Sequence, residues 1–167
     1  MIYVIGIGPG SKELMTMQCI DAIKDAEVIV GYKTYINLIT DLIEGKEVVQ
    51  NGMRQEIDRC REAVEIAKTG KKVAVISSGD AGIYGMAGLI LELTAKEEQN
   101  IDVKVVPGVT ASIGAAAILG APIMHDFCHI SLSDLMTPYN LIKKRVRNAA
   151  DADRRRDRHG NFCPQNA

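Results

Sequence analysis

Three short stretches hold the residue types that could do chemistry. Gly6-Ile7-Gly8-Pro9-Gly10-Ser11 follows the apolar run that opens the chain. Ser77-Ser78-Gly79-Asp80-Ala81-Gly82-Ile83-Tyr84-Gly85 follows a second run, KVAVI, and Pro107-Gly108-Val109-Thr110-Ala111-Ser112 follows a third, VKVV. Glycine lets a flat or bulky ligand come close to the main chain. Backbone amides at the start of a helix can hold a carboxylate or a hydroxyl. Asp80 can cap the helix that follows it, or accept hydrogen bonds from an ammonium or a ribose. Taken singly, each stretch also reads as a tight turn or a capped helix without a ligand. Their recurrence at three strand ends says more than any one of them.

Several familiar chemistries are excluded. A dinucleotide fingerprint needs G-x-G-x-x-G, but position 11 is Ser and Pro9 lies inside the turn. The run EVIVG also ends in Gly31, where an acidic residue is expected. No GKS or GKT occurs, so the first loop is not a Walker phosphate loop. His125, Cys128 and His129 resemble metal ligands in type. In a strand, however, positions 125 and 129 share a face with Phe127 while Cys128 points away, so no metal site is expected. Ser131 and Ser133 have no evident base beside them, and no catalytic side chain is assigned.

The elements that must position these loops follow from the apolar periodicity. Strands are expected at 2–7, 27–31, 46–49, 72–76 and 103–106. Helical patterning covers about 12–25, with Leu14, Met15, Met17, Cys19, Ile20 and Ile23 as its apolar face. It returns at 33–44, 55–69 and 83–95, and from Thr110 or Ser112 to Leu119, where Gly120 and Pro122 end it. In 55–69, Ile57, Cys60, Val64 and Ala67 form one stripe, Glu56, Arg59, Glu62 and Lys68 face water, and Gly70 stops the helix. Short apolar strands alternating with helices define an α/β fold with a mostly parallel sheet and helices on both faces. Ligands on such sheets bind beyond the carboxyl ends of the strands, which is where the three loops fall.

Composition narrows the class. At 167 residues and 47% apolar content, the chain is long enough for one domain, or two small ones, and too apolar for a disordered protein. It has no apolar run long enough to span a bilayer and no secretory signal, so the cytoplasm is the expected location. The four cysteines show no CxxC pair and are expected to be reduced. Charge is uneven. Residues 1–142 carry 12 Lys and Arg against 18 Asp and Glu, whereas 143–158 carry 8 against 3. A basic segment can be a nucleic-acid arm, but Trp is absent and aromatics are 4%, so no stacking platform exists for single strands. A solvated helix face and a polar tail are expected instead.

Taken in order, GIGPG, SGDAGIYGMA and VVPGVTASIGAAAILGAP resemble the tetrapyrrole (corrin/porphyrin) methylases. HDFCHISLSDLMTP followed by KKRV, together with VGYKTYI at 30–36, resembles the branch that methylates C17 of precorrin-3B or cobalt-precorrin-3B. The resemblance covers residues 1 to about 153. It implies two α/β domains with S-adenosylmethionine in the cleft between them. It further implies that Pro9, Ser78, Gly79, Asp80, Ile83, Thr110 and Ala111 hold that cofactor, largely through main chain. Gly8 and Gly10 would face the macrocycle, with Ser131 and Ser133 entering from the second domain. The implied reaction methylates C17 and contracts the ring. The implied partners are a small corrinoid substrate and, at full length, a second copy of the chain, with no nucleic acid and no membrane. Methyl transfer from a sulfonium to an electron-rich carbon needs no protein nucleophile. Alignment in a dry site can supply about 7–11 kcal/mol.

The expected organisation is an N-terminal domain at 1–119, the start of a second at 120–153 and a polar tail at 154–167. The tail, RRRDRHGNFCPQNA, has almost nothing to bury and departs from the family's pattern. A truncated or frameshifted second domain is the expected cause, with impaired activity as the expected effect. Two other readings stand beside the leading one. One is a sister methylase acting on another ring carbon, on diphthamide or on ribosomal RNA; the other is a non-catalytic fragment with a basic tail.

Overall fold

Apolar runs of four to six residues between polar turns bury best as central strands, and three of the five strands do so here. A computed structural model describes residues 1–52, 55–98, 100–121, 127, 129–131, 140, 143 and 144. The strands among them are β1 (Ile2–Gly6), β2 (Val28–Tyr32), β3 (Glu47–Asn51), β4 (Val73–Ser77) and β5 (Val103–Val106). Every pairing is parallel, in the order β3-β2-β4-β1-β5. The helices are α1 (Met17–Asp25), α2 (Lys33–Ile36), α3 (Glu56–Lys68), α4 (Ala87–Thr94) and α5 (Ala111–Ile118). The chain divides into two compact units, Met1–His125 and Asp126–Ala167, and all of these elements lie in the first.

Alternate residues of the strands feed two cores. Ile2, Val4, Val28, Val30, Val73 and Val75 pack with Cys60, Ala63, Val64 and Ala67 of α3 and with Ala87 and Ile90 of α4. Ile5, Ile29, Ala74 and Ile76 point the other way, onto Cys19, Ala22 and Ile23 of α1 and onto Ile36, Ile39 and Ile43. Each valine or isoleucine so buried contributes about 1.5–3 kcal/mol. β5 is an edge strand with an exposed middle, which fits its charged VKVV sequence.

The strands fall where the apolar runs place them, but three helices begin or end differently. α1 starts at Met17 because the Thr16 hydroxyl caps it, accepting from the Cys19 amide at 3.1 Å. Lys12–Leu14 is a separate 3-10 turn, so Leu14 and Met17 are exposed instead of lining the core. The stretch expected to be helical over 33–44 gives one turn, α2, then a second 3-10 turn at Thr40–Leu42. Bonds such as Ile39 N–H to Ile36 O and Leu42 N–H to Ile39 O keep the three isoleucines inward without a continuous α-helix.

The third difference is the start of α4, at Ala87 and not near residue 83. The preceding turn is fixed by Ala87 N–H bonding Ala81 O at 3.0 Å and by Met86 N–H bonding Ser77 Oγ at 3.3 Å. Within that turn Tyr84 adopts φ +53°, a left-handed conformation that helices do not contain. α3 ends as expected at Gly70, with φ +92°. Its faces differ from the periodicity at two places. Ile57 is 53% exposed, while Arg59, expected in water, is 1% exposed. α5 is capped by Thr110, whose hydroxyl accepts from Ile113 N–H, and it closes through Gly120, with Ala121 N–H reaching Ala116 O. Pro122 lies outside the described residues.

Candidate functional site

The strand order decides which loops meet. β1 lies between β4 and β5, with Gly6 opposite Ser77 and Ile5 opposite Val106. The three glycine-rich loops therefore leave the carboxyl ends of adjacent strands. The first two pair through main chain. Gly8 N–H donates to Gly79 O at 3.0 Å, and Gly79 N–H donates to Gly8 O at 2.8 Å.

Asp80 ties in the third. Its Oδ1 accepts from Gly82 N–H at 2.8 Å and its Oδ2 from Gly108 N–H at 2.9 Å. The capping role open to Asp80 on sequence grounds is not what it performs. α4 begins seven residues later with Met86 at its N-cap, and Asp80 braces two loops instead. The contact between the loops needs glycine. A Cβ on Gly108 would stand 2.3 Å from Gly79 O and 2.5 Å from Gly6 O. On Gly79, at φ +64°, the same position faces the Ala111 amide at 3.5 Å.

Gly8, Gly79, Asp80 and Thr110 are thereby brought together. Pro9 joins them, since a Cβ on Gly114 of α5 would meet its ring at 3.1 Å. Ser78 and Asp80 are half-buried, as are Pro9 and Thr110, while Gly10, Ile83 and Ala111 are exposed. Ile83 sits in the long turn before α4, so it lies on a loop and not on a helix. Ser131 belongs to the second unit. Ser133, His125 and Cys128 lie outside the described residues, among which no cluster of metal-binding side chains occurs.

Sequence reasoning did not find the pocket on the other side of β4. About 240 Å³ in volume, it is lined by Tyr32, Tyr35, Arg59, Ser77, Ser78 and Met86, among others. Arg59 donates from Nη2 to Gly52 O at 2.9 Å, and its guanidinium stands 6.0 Å from the Tyr32 ring centre. Cys60, beside it on α3, is a fully buried free thiol. Burial pushes its thiol up to about 11, and burial does the same to Cys19 in the opposite core. The signal for Arg59 in the sequence was weak, since a single charge at helical spacing normally faces water.

A parallel sheet with three main-chain loops knitted over adjacent strand ends defines a class of α/β protein in which ligands, where they bind, sit beyond the carboxyl ends of the strands. The chain belongs to the tetrapyrrole (corrin/porphyrin) methylases, whose family pattern matches residues 1–157. It is 58% identical over 153 residues to a Salmonella typhimurium protein named a probable cobalt-factor III C(17)-methyltransferase, covering 92% of this chain and 64% of that one. Among solved structures, the methyltransferase CobJ matches with a TM-score of 0.81 and 41% identity, over 91% of this chain and 64% of that one. A Thermus thermophilus uroporphyrin-III C-methyl transferase complexed with S-adenyl homocysteine matches with a TM-score of 0.58 and 25% identity, over 69% and 47% respectively. The chain thus spans just under two thirds of the length of its Salmonella relative. Among the described residues, no helix is long and apolar enough to cross a membrane.

Proposed function

We propose that the three-loop cleft binds S-adenosylmethionine and that the protein methylates C17 of a corrinoid macrocycle, precorrin-3B or its cobalt form, with ring contraction. The carrying observation is the Gly8–Gly79 main-chain pair clamped to the third loop by Asp80. In this reading Pro9, Ser78, Gly79, Asp80, Ile83, Thr110 and Ala111 hold the donor. Gly8 and Gly10 face the macrocycle, and Ser131 and Ser133 are substrate-binding residues on the same reading. The names of the Salmonella relative and of the liganded Thermus neighbour support this choice of substrate and donor.

The residues fit such a donor. They offer main chain, the Ser78 and Thr110 hydroxyls and one carboxylate, beside the exposed apolar side chain of Ile83. Each oxygen of Asp80 accepts one backbone N–H and keeps a lone pair for an ammonium or a ribose hydroxyl. When bound, S-adenosylmethionine supplies an electrophilic methyl group that an electron-rich ring carbon displaces in line. The loops contribute position and exclusion of water, because their shape is set by bonds that exist before any ligand arrives. The same reading carries an N-terminal domain at 1–119, a second domain beginning at 120 and a cytoplasmic location, with a homodimer at full length.

Titration calorimetry with S-adenosylhomocysteine tests the donor site, with a saturable binding heat expected that is weaker than micromolar, in keeping with the impaired activity expected of this chain. Incubation with labelled S-adenosylmethionine and cobalt-factor III, followed by mass spectrometry, should show one labelled methyl group per product molecule, for the same reason at a rate well below that of the Salmonella relative. Absence of both the binding heat and the labelled product overturns the reading.

A further inference from the structure

Arg59 is a buried cation without an anion. It is 1% exposed, and among the described residues no carboxylate lies within ion-pair distance of it. A guanidinium carries five N–H donors and stays charged at any physiological pH. Here one oxygen, Gly52 O, accepts from Nη2. Nη1 faces the weak acceptor Met86 Sδ at 3.9 Å, and Nε has no partner. Leaving such a group unpaired in the interior is costly unless a ligand completes it.

The space beside it suits one. The pocket of about 240 Å³ is lined by Arg59, by the apolar Tyr32, Tyr35 and Met86, and by Ser77 and Ser78 at the end of β4. Ser78 also belongs to the three-loop cleft, so the pocket adjoins that site within the same unit. Tyr32 and Tyr35 pack edge to face, with centroids 5.2 Å apart, which gives the wall a fixed form. Glu56 lies at the pocket too, but it is exposed to water, where its charge is screened.

We infer that this pocket receives a carboxylate on a short aliphatic arm, with Arg59 as its anchor. The arm's source rests on the proposed function, since both reactants there carry such groups. Either an acetate or propionate arm of the macrocycle or the aminoacyl carboxylate of the methyl donor meets the description. The flat guanidinium edge matches a flat carboxylate, and the apolar walls match the methylenes behind it.

The test uses the full chain labelled with nitrogen-15 at arginine. Loss of one Nε–H signal in Arg59→Lys assigns the resonance, and Arg59→Gln serves if that variant does not fold. Sodium propionate should move the Arg59 signal saturably, whereas sodium chloride at equal ionic strength should not. S-adenosylhomocysteine and 5′-methylthioadenosine, which lacks the carboxylate, separate the sources. Movement with the first nucleoside alone assigns the arm to the donor; movement with propionate but with neither nucleoside assigns it to the macrocycle. No response to propionate or S-adenosylhomocysteine overturns the inference, as does an equal response to both nucleosides without one to propionate. If S-adenosylhomocysteine gives no binding heat and no labelled product forms while propionate still moves Arg59, the methyltransferase reading falls and the carboxylate site stands.

Discussion

Asp80 joins two loops with one side chain, and the join spans 28 positions of sequence between itself and Gly108. Asp80→Ala removes both acceptors and strands the Gly82 and Gly108 amides. A loss of about 1–3 kcal/mol in urea unfolding is expected, together with weaker S-adenosylhomocysteine binding in calorimetry. Asp80→Asn keeps one acceptor oxygen and should lose less. Gly108→Ala works by crowding, because its methyl would overlap two carbonyl oxygens. It should cost about 1–3 kcal/mol by the same measurement. Neither effect was legible in the sequence. A glycine that touches another backbone looks the same on paper as one that merely turns the chain. Arg59 is the opposite case, a charge that periodicity sends to solvent and the fold encloses. Rules of pattern fail at such places when a site needs something the core would otherwise reject.

At the scale of elements, much more could be read. Buried parallel strands are apolar on both faces, so KVAVI and IYVIGI announce themselves without help from neighbours. Helix starts were less legible. Ile83 and Leu14 continue an apolar rhythm, yet they precede the true first turns, and caps such as Thr16 and the Ala81–Ala87 bond set those starts. The lower ends of β1, β4 and α1 are joined by charge. The Lys72 ammonium, and then the Tyr3 hydroxyl, hold the Asp25 carboxyl below its ordinary value of 3.8. A lowered carboxylate adds stability that is present above the ordinary value and disappears as pH falls through the folded one. Asp25→Asn should therefore flatten the acid limb of a circular-dichroism titration while leaving Lys72 without its partner at neutral pH.

For the molecule as a whole, the neighbours in the sheet matter more than the elements. The sequence shows three loops at strand ends, but only the order β3-β2-β4-β1-β5 makes them adjacent. That order depends on contacts between distant residues, which no local pattern encodes. Because the loops are tied to one another through main chain, a ligand bound among them should stabilise the sheet beneath. S-adenosylhomocysteine at about 100 times its dissociation constant should add about 2.7 kcal/mol to unfolding, read as a rise in Tm. The same order has a consequence for synthesis on the ribosome. β1 emerges before either of its neighbours and takes a place between β4 and β5, so Ile2–Gly6 must wait about seventy residues for one flank and about a hundred for the other. Until then a strongly apolar strand stands with both edges open, and a nascent chain in that state is a natural client for chaperones.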